Sequence, residues 1–206
     1  MPFWRAGPPR CRLRNRPPYR GAAGKWYDCT GLDRSPSMLR IARRRLPRVA
    51  FKLGSMEEFS LGRQFDVITC LFGVLGYART VERMSRAIAN MAAHLRPGGA
   101  LLVAPWYSPE QWTGRFVRGR VGQAPGITVA RVTRSWKRNP RLSHFESHYL
   151  VGRKQGIAHV VETQELGLFH DREVQRAFRQ AGLRGRHLRK FGGSANGLHL
   201  GNKPLG

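Results

Sequence analysis

Acidic residues are scarce in this 206-residue chain, with 12 Asp and Glu against 37 Lys and Arg and a net charge of +25. Cysteine is scarce too. Cys11, Cys29 and Cys70 are widely spaced and form no CxxC pair, which suggests neither a disulfide framework nor a zinc site; no metal is expected, and a reduced, cytoplasmic compartment is the expectation. No apolar run approaches the ~18 residues that a membrane span needs, so no membrane partner is expected. Met1 leads into Pro2, Phe3, Trp4 and Arg5 without the apolar stretch of a secretory signal. The length fits one domain.

A basic excess of this size ordinarily argues for nucleic acid, and its distribution argues against it. Seven basic residues and no acid precede Asp28; without them the balance is 30 against 12. The remainder is spread along predicted helices and loops, and no aromatic-interleaved basic stripe of the kind that holds single strands is present. Solvated surface arginine is the better reading.

Residues 1–24 hold five prolines, six arginines and no acid, with no periodicity, and read as a non-native-looking segment or a disordered tail. From Lys25 the pattern is orderly. An apolar run over 27–33 ends in Asp33 and reads as a buried parallel strand. Ser35-Pro36 opens a helix through Met38, Leu39, Ala42 and Leu46 that Pro47 stops. Strands follow over 49–53 and 65–71. Met84, Ile88, Met91 and Leu95 form the stripe of an amphipathic helix over 81–95, and a strand over 100–104 comes after Arg96-Pro97-Gly98-Gly99. This alternation predicts an α/β, doubly wound, Rossmann-like parallel sheet. The second half changes character: strand-like runs over 127–136, 142–151 and 156–166 with short turns between them predict an antiparallel three-strand insertion at about 127–166. A helix from Asp171 through Phe178 stops at Gly182, a strand follows near 183–188, and residues 197–201 close the chain.

In a doubly wound sheet, ligands sit beyond the carboxyl ends of the strands. Asp33 lies at such an end, where a carboxylate can accept both hydroxyls of a ribose or simply stabilise a helix start. At the next strand end, in Gly54-Ser55-Met56-Glu57-Glu58-Phe59, a turn could frame an adenine, with polar groups at its edge and Met56 on its face; core filling is the plainer role for Met56. Leu71-Phe72-Gly73-Val74-Leu75-Gly76-Tyr77 is a glycine-loosened loop through which a ligand can approach backbone.

Taken together and in order, residues 31–39 (Gly-Leu-Asp-Arg-Ser-Pro-Ser-Met-Leu), 65–72 (Phe-Asp-Val-Ile-Thr-Cys-Leu-Phe), 95–103 (Leu-Arg-Pro-Gly-Gly-Ala-Leu-Leu-Val) and 105–110 (Pro-Trp-Tyr-Ser-Pro-Glu) resemble class I S-adenosylmethionine-dependent methyltransferases. Residues 105–110 and the insertion are most similar to the N,N-dimethyltransferases of nucleotide-linked amino sugars such as desosamine and mycaminose. The resemblance covers about residues 26–201. It implies S-adenosyl-L-methionine as cofactor, with Asp33 on the ribose, Ser55 and Met56 flanking the adenine, and Leu71 and Phe72 on the methionine side. The family usually has Asp where Ser55 stands; serine keeps a hydrogen bond and loses the charge. Tyr77, Trp106 and Tyr107, with the insertion, would wall the sugar pocket, although packing would equally explain the tryptophan and its neighbour. His148 matches a histidine that the family carries on the insertion and is the candidate base, with His159 and Glu162 nearby in sequence. Methyl transfer from a sulfonium is an in-line displacement, so a neutral amine, desolvation and proximity could suffice and leave His148 a positioning role. The implied partner is a small molecule, an amino-sugar nucleotide; a homodimer stays open, as does another small-molecule acceptor at O or C. A nucleic-acid amino-methylating enzyme is disfavoured because Thr69-Cys70-Leu71-Phe72 replaces the Asn/Asp/Ser-Pro-Pro-aromatic motif such enzymes show.

One part of the family pattern is missing. The class needs a first strand and a glycine loop, Asp-x-x-x-Gly-x-Gly-like, before the ribose acid, and residues 1–24 contain neither. Residues 8–16 can be written CCT CCT CGA TGC CGC CTG CGG AAC CGG; read one base later, with the first base of Pro17, they give Leu-Leu-Asp-Ala-Ala-Cys-Gly-Thr-Gly. The protein sequence fixes mainly the outer letters of each shifted codon and leaves the middle ones open. The expectation is a one-base slip near codon 24 with a spurious start at Met1 and a longer protein upstream. It carries a structural corollary: without its first strand, the sheet should expose an unpaired edge beside the strand ending at Asp33, an invitation to aggregation.

Overall fold

A computed structural model describes residues 3–6, 28–189 and 196–206. The strands are β1 (Phe3–Ala6), β2 (Asp28–Asp33), β3 (Ala50–Leu53), β4 (Phe65–Cys70), β5 (Leu95–Val103), β6 (Phe116–Ala124), β7 (Ile127–Asn139), β8 (Leu142–Arg153), β9 (Gly156–Gly167), β10 (Arg184–Leu188) and β11 (Leu198–Asn202). The helices are α1 (Pro36–Arg45), α2 (Val81–Ala93) and α3 (Asp171–Gln180), with a short 3-10 helix at Val74–Ala78. No described helix is long and apolar enough to cross a membrane.

Local chemistry sets the helix ends. The Ser35 side chain accepts the Met38 N–H at the start of α1 with Pro36 behind it, and Arg43, Arg44 and Arg45 occupy the last turn, where cations complement the dipole. Thr80 caps α2 in the same way, through Arg83 N–H. The apolar stripe of α2 buries Met84, Ala87, Ile88, Met91 and Ala92 against Phe65, Ile68 and Cys70 of β4 and Leu101 and Val103 of β5. Each large side chain so buried is worth about 1.5–3 kcal/mol. A second, smaller cluster joins Leu39 and Ala42 of α1 to Val49 and Phe51.

The main sheet runs β10-β11-β5-β4-β1-β2-β3. β2 pairs parallel with β3 and β4 with β5, as a doubly wound sheet requires, while β11 runs antiparallel to both β5 and β10. The expectation of an exposed edge at β2 is overturned. β1 lies between β2 and β4 and pairs antiparallel with both, Trp4 opposite Thr30 on one side and Ile68 on the other. The physical reason is general: two facing strand edges carry rows of N–H and C=O groups that need partners, and a four-residue segment of either direction can supply them. The rest of the proline-rich segment, including the 8–24 stretch read in the shifted frame, lies outside the described residues.

The second sheet, β6-β7-β8-β9, is antiparallel throughout. It holds one strand more than the three runs that alternation marks. β6 is exposed along nearly its whole length, and Arg118, Gly119, Arg120, Gly122 and Gln123 leave it without a buried face to read. Two glycines seat this sheet on the first. A Cβ on Gly76 would come within 3.2 Å of Leu166, and one on Gly167 within 2.9 Å of the Arg79 backbone. The missing side chain at Gly167, and the small one at Gly76, let β9 close over the 3-10 helix, beside the carboxyl ends of β2 and β3.

Candidate functional site

A cleft of about 450 Å³ opens where β9 overhangs the ends of β2 and β3. Asp33, the last residue of β2, stands on its wall. Its Oδ1 accepts the Ser35 N–H at 2.9 Å, the hydrogen bond that also fixes the start of α1; Oδ2 has no hydrogen-bond partner among the described residues and remains available to a ligand. Gly31 permits the local geometry, since a Cβ there would sit 2.5 Å from the Phe51 ring.

The end of β3 folds back beside it. Gly54 N–H donates to the Asp33 carbonyl at 3.1 Å. Ser55 turns the chain: its carbonyl accepts from Glu58 and Phe59, and its hydroxyl accepts from Glu57 N–H at 3.3 Å. Asn90 of α2 clamps this turn, donating to the carbonyls of Met56 (3.4 Å) and Phe59 (3.1 Å). Met56 is half-buried, with one side on the main core and another on the cleft. Glu57 is almost fully buried, and Arg83 neutralises it with a bidentate grip of 2.8–3.1 Å.

Tyr77 closes the far wall. Its hydroxyl donates to Gln164 Oε1 on β9 at 3.2 Å, and the Arg34 guanidinium lies 5.2 Å from its ring centre. Burial pushes the phenol above its ordinary value; Arg34 pulls the other way, and the carboxylates of Glu162 and Asp33 add to the rise. The hydroxyl is therefore a firm donor. Glu162 and Glu165 of β9, with Arg34 and Arg79, complete a polar rim on this side.

The structure thus brings Asp33, Ser55, Met56 and Tyr77 into one cleft, and the remaining candidates lie elsewhere. Leu71 and Phe72 follow β4 but are not part of the cleft lining; Phe72 is 82 % exposed with a backbone φ of 59°, a region uncommon for a bulky residue. Trp106 and Tyr107 pack with Trp112 and Phe145 at ring separations of 4.9–5.7 Å. The Trp106 indole donates to Ser143 Oγ, which donates to the Leu166 carbonyl. Gly73 makes room for that indole, since a Cβ would approach it to 2.6 Å. These aromatics fasten the second sheet to the first. His148 contacts His159 (2.9 Å) and Glu146 (3.0 Å). β8 and β9 set His148 opposite Val161 and Ser147 opposite Glu162; side chains alternate along a strand, so His148 projects from the face opposite to Glu162 and Gln164.

Arg34, Glu57, Arg79, Arg83, Gln164 and Glu165 are among the cleft residues that sequence reasoning missed. Arg34 directly follows Asp33 and could have been marked by that position. Gln164 could not: its role depends on β9 docking across the 3-10 helix.

Comparisons with known proteins show the chain's relatives. The Methyltransferase domain family matches residues 19–99. The chain is 38% identical over 175 residues to the dTDP-3-amino-3,4,6-trideoxy-alpha-D-glucopyranose N,N-dimethyltransferase of Streptomyces venezuelae, covering 84% of this chain and 73% of that protein. Among solved structures, the sugar N-methyltransferase KedS8 from Streptoalloteichus superposes with a TM-score of 0.81 at 34% identity, covering 85% of this chain and 70% of that one. CalS10, a SAM-bound amino pentose methyltransferase from Micromonospora echinaspora, superposes at 0.74 with 37% identity, covering 84% and 73%.

Proposed function

Because the chain belongs to the S-adenosylmethionine-dependent sugar N-methyltransferase family, we propose that it transfers methyl groups from S-adenosylmethionine to the amine of a nucleotide-linked amino sugar, in the cleft beneath β9. The observation that carries this reading is the end of β2. Asp33 commits one oxygen to Ser35 and holds the other toward the cleft, which suits a diol. The Ser55 hydroxyl and the Met56 side chain suit the edge and face of an adenine, and both belong to the turn that Asn90 clamps. Leu71 and Phe72, at the end of β4, lie outside the cleft lining and carry no part of this reading.

When bound, the cofactor supplies an electrophilic methyl group on a sulfonium that leaves without acid assistance. The chain has to bind, orient and desolvate the amine. Glu162 favours an ammonium as it enters, and Tyr77 and Gln164 offer hydrogen-bonding groups beside it. Trp106 and Tyr107 serve by holding the overhanging sheet in place. His148, turned to the other face, takes a positioning role in that sheet, and proximity provides the rate. Asp33→Ala tests the cofactor assignment: S-adenosylhomocysteine binding should weaken by about 1–3 kcal/mol, the cost of losing a charged hydrogen-bond partner, and unchanged affinity in a calorimeter would refute it.

We also propose that the codons of residues 8–24 hold the family's first strand and glycine loop in the neighbouring frame. The shifted reading of residues 8–16 supports this. In this reading β1 occupies, in reverse direction, the position of that strand. A chain with the shifted segment restored should bind S-adenosylmethionine at micromolar concentration, about −8 kcal/mol, and the present chain far more weakly. Sequencing the locus around codon 24, with binding assays on both chains, decides it; equal affinities would show residues 1–24 to be a genuine tail.

A further inference from the structure

Asp171, the first residue of α3, His187 near the end of β10 and His199 near the start of β11 converge at a point that lies outside the cleft. His187 Nδ1 is 3.0 Å from Asp171 Oδ2, and His199 Nε2 is 3.1 Å from Asp171 Oδ1. The two imidazoles stack with centres 4.3 Å apart. One potential ligand atom from each residue lies within 4.8 Å of the others.

With both imidazoles neutral, the hydrogen-bond accounting of this cluster does not close. His187 Nε2 lies 3.2 Å from the Asn196 carbonyl, which only accepts, so Nε2 carries the hydrogen. In the neutral ring, Nδ1 then presents a lone pair to a carboxylate that also only accepts. His199 is fully buried, and its Nε2 has no hydrogen-bond partner despite the nearby Asp171 oxygen: the distance is short, but the direction misses. Its Nδ1 meets the Gln175 amide at 2.9 Å. Turning that amide by half a turn, an exchange of O and N that leaves its shape unchanged, makes it accept from Nδ1 and leaves Nε2 as a bare donor of electrons. In both rings the outer nitrogen is then held by a carbonyl oxygen and the inner one faces the shared point. This is how metal-binding imidazoles are oriented.

We propose that Asp171, His187 and His199 form a binding site for a zinc-class divalent transition-metal ion. Two imidazoles and one carboxylate are the donor set of such ions, whereas calcium and magnesium prefer oxygen alone. Asp171 is 54 % exposed, which leaves a side open for water as the remaining ligand. Shifts of about an ångström would bring the donors to the ~2.0–2.2 Å bonds that zinc makes. A bound ion would tie the start of α3 to the β10–β11 hairpin.

The test is zinc titration of the full chain, followed by calorimetry and by cobalt substitution read as a tetrahedral ligand-field spectrum. The unaltered chain should take up one zinc per molecule. Asp171→Asn and His187→Gln should each weaken binding at least about 100-fold, more than the 10–100-fold that loss of an orienting partner costs. His148→Gln with His159→Gln, which disrupts the other histidine pair, should leave it unchanged. No stoichiometric uptake, or uptake lost only in the His148/His159 variant, overturns the proposal. Should either variant at Asp171 or His187 fail to fold, histidine-ring NMR of the unaltered chain decides: zinc must shift the His187 and His199 resonances, and shifts confined to other histidines overturn the site.

Discussion

At the scale of single residues, burial and pairing decide what each side chain can do. Cys70 is fully buried, and that burial pushes its thiol up to about 12, so it fills the core and does not react. Glu146 is the opposite case. Arg134, and then His148, hold its carboxyl down to about 2. A carboxyl with a depressed folded value contributes stability above its unfolded pKa and loses it as pH falls through the folded one, so the window here runs from about 4.5 down to about 2. Carbon-detected NMR should find the Glu146 titration near the lower end in the native sheet. Arg134→Gln should move it back toward the ordinary value; a midpoint unaffected by that change would show the ion pair to be inconsequential.

At the scale of elements, α2 is the strut on which the cleft rests. Its buried stripe sits on β4 and β5, and Asn90 and Arg83 reach from it to the turn that follows β3. Truncating the stripe should cost far more than loosening an end. Ile88→Ala removes a fully buried side chain and should destabilise by about 2–5 kcal/mol. Thr80→Ala removes only the cap and should cost about 1 kcal/mol. Urea denaturation of the two variants gives the order, and a reversed order would mean that the helix is held by its ends.

At the scale of the whole molecule, charge is the dominant property. Much of the basic excess sits on exposed positions, as in Arg40, Arg43, Arg44 and Arg45 of α1 and Arg118 and Arg120 of β6. Other arginines are engaged with Glu57, Asp66, Glu146, Glu165 and Glu173. Weak association with nucleic acid through such a surface should fall steeply as salt rises and show no preference among sequences. Tight binding of one defined oligonucleotide at physiological salt would instead make the basic surface a recognition site.

The sequence by itself determined the parallel half of the fold and the Asp33 end of the cleft, because those signals are local. Ser35-Pro36 starts a helix whatever packs on it, the stripe of α2 has a helical period, and Asp33 ends an apolar run. Tertiary structure decided the rest. Tyr77 meets Gln164 across 87 residues of chain, a contact set by the docking of β9 over Gly76. The face from which His148 projects follows from strand register, where a shift of one residue exchanges the two sides of a sheet. The slot between β2 and β4 is filled by Phe3–Ala6, a segment too short to show a strand pattern, because two facing strand edges select a partner by backbone hydrogen bonding. Asp171, His187 and His199 are separated by up to 28 positions, and they meet only because β10 and β11 form a hairpin against α3.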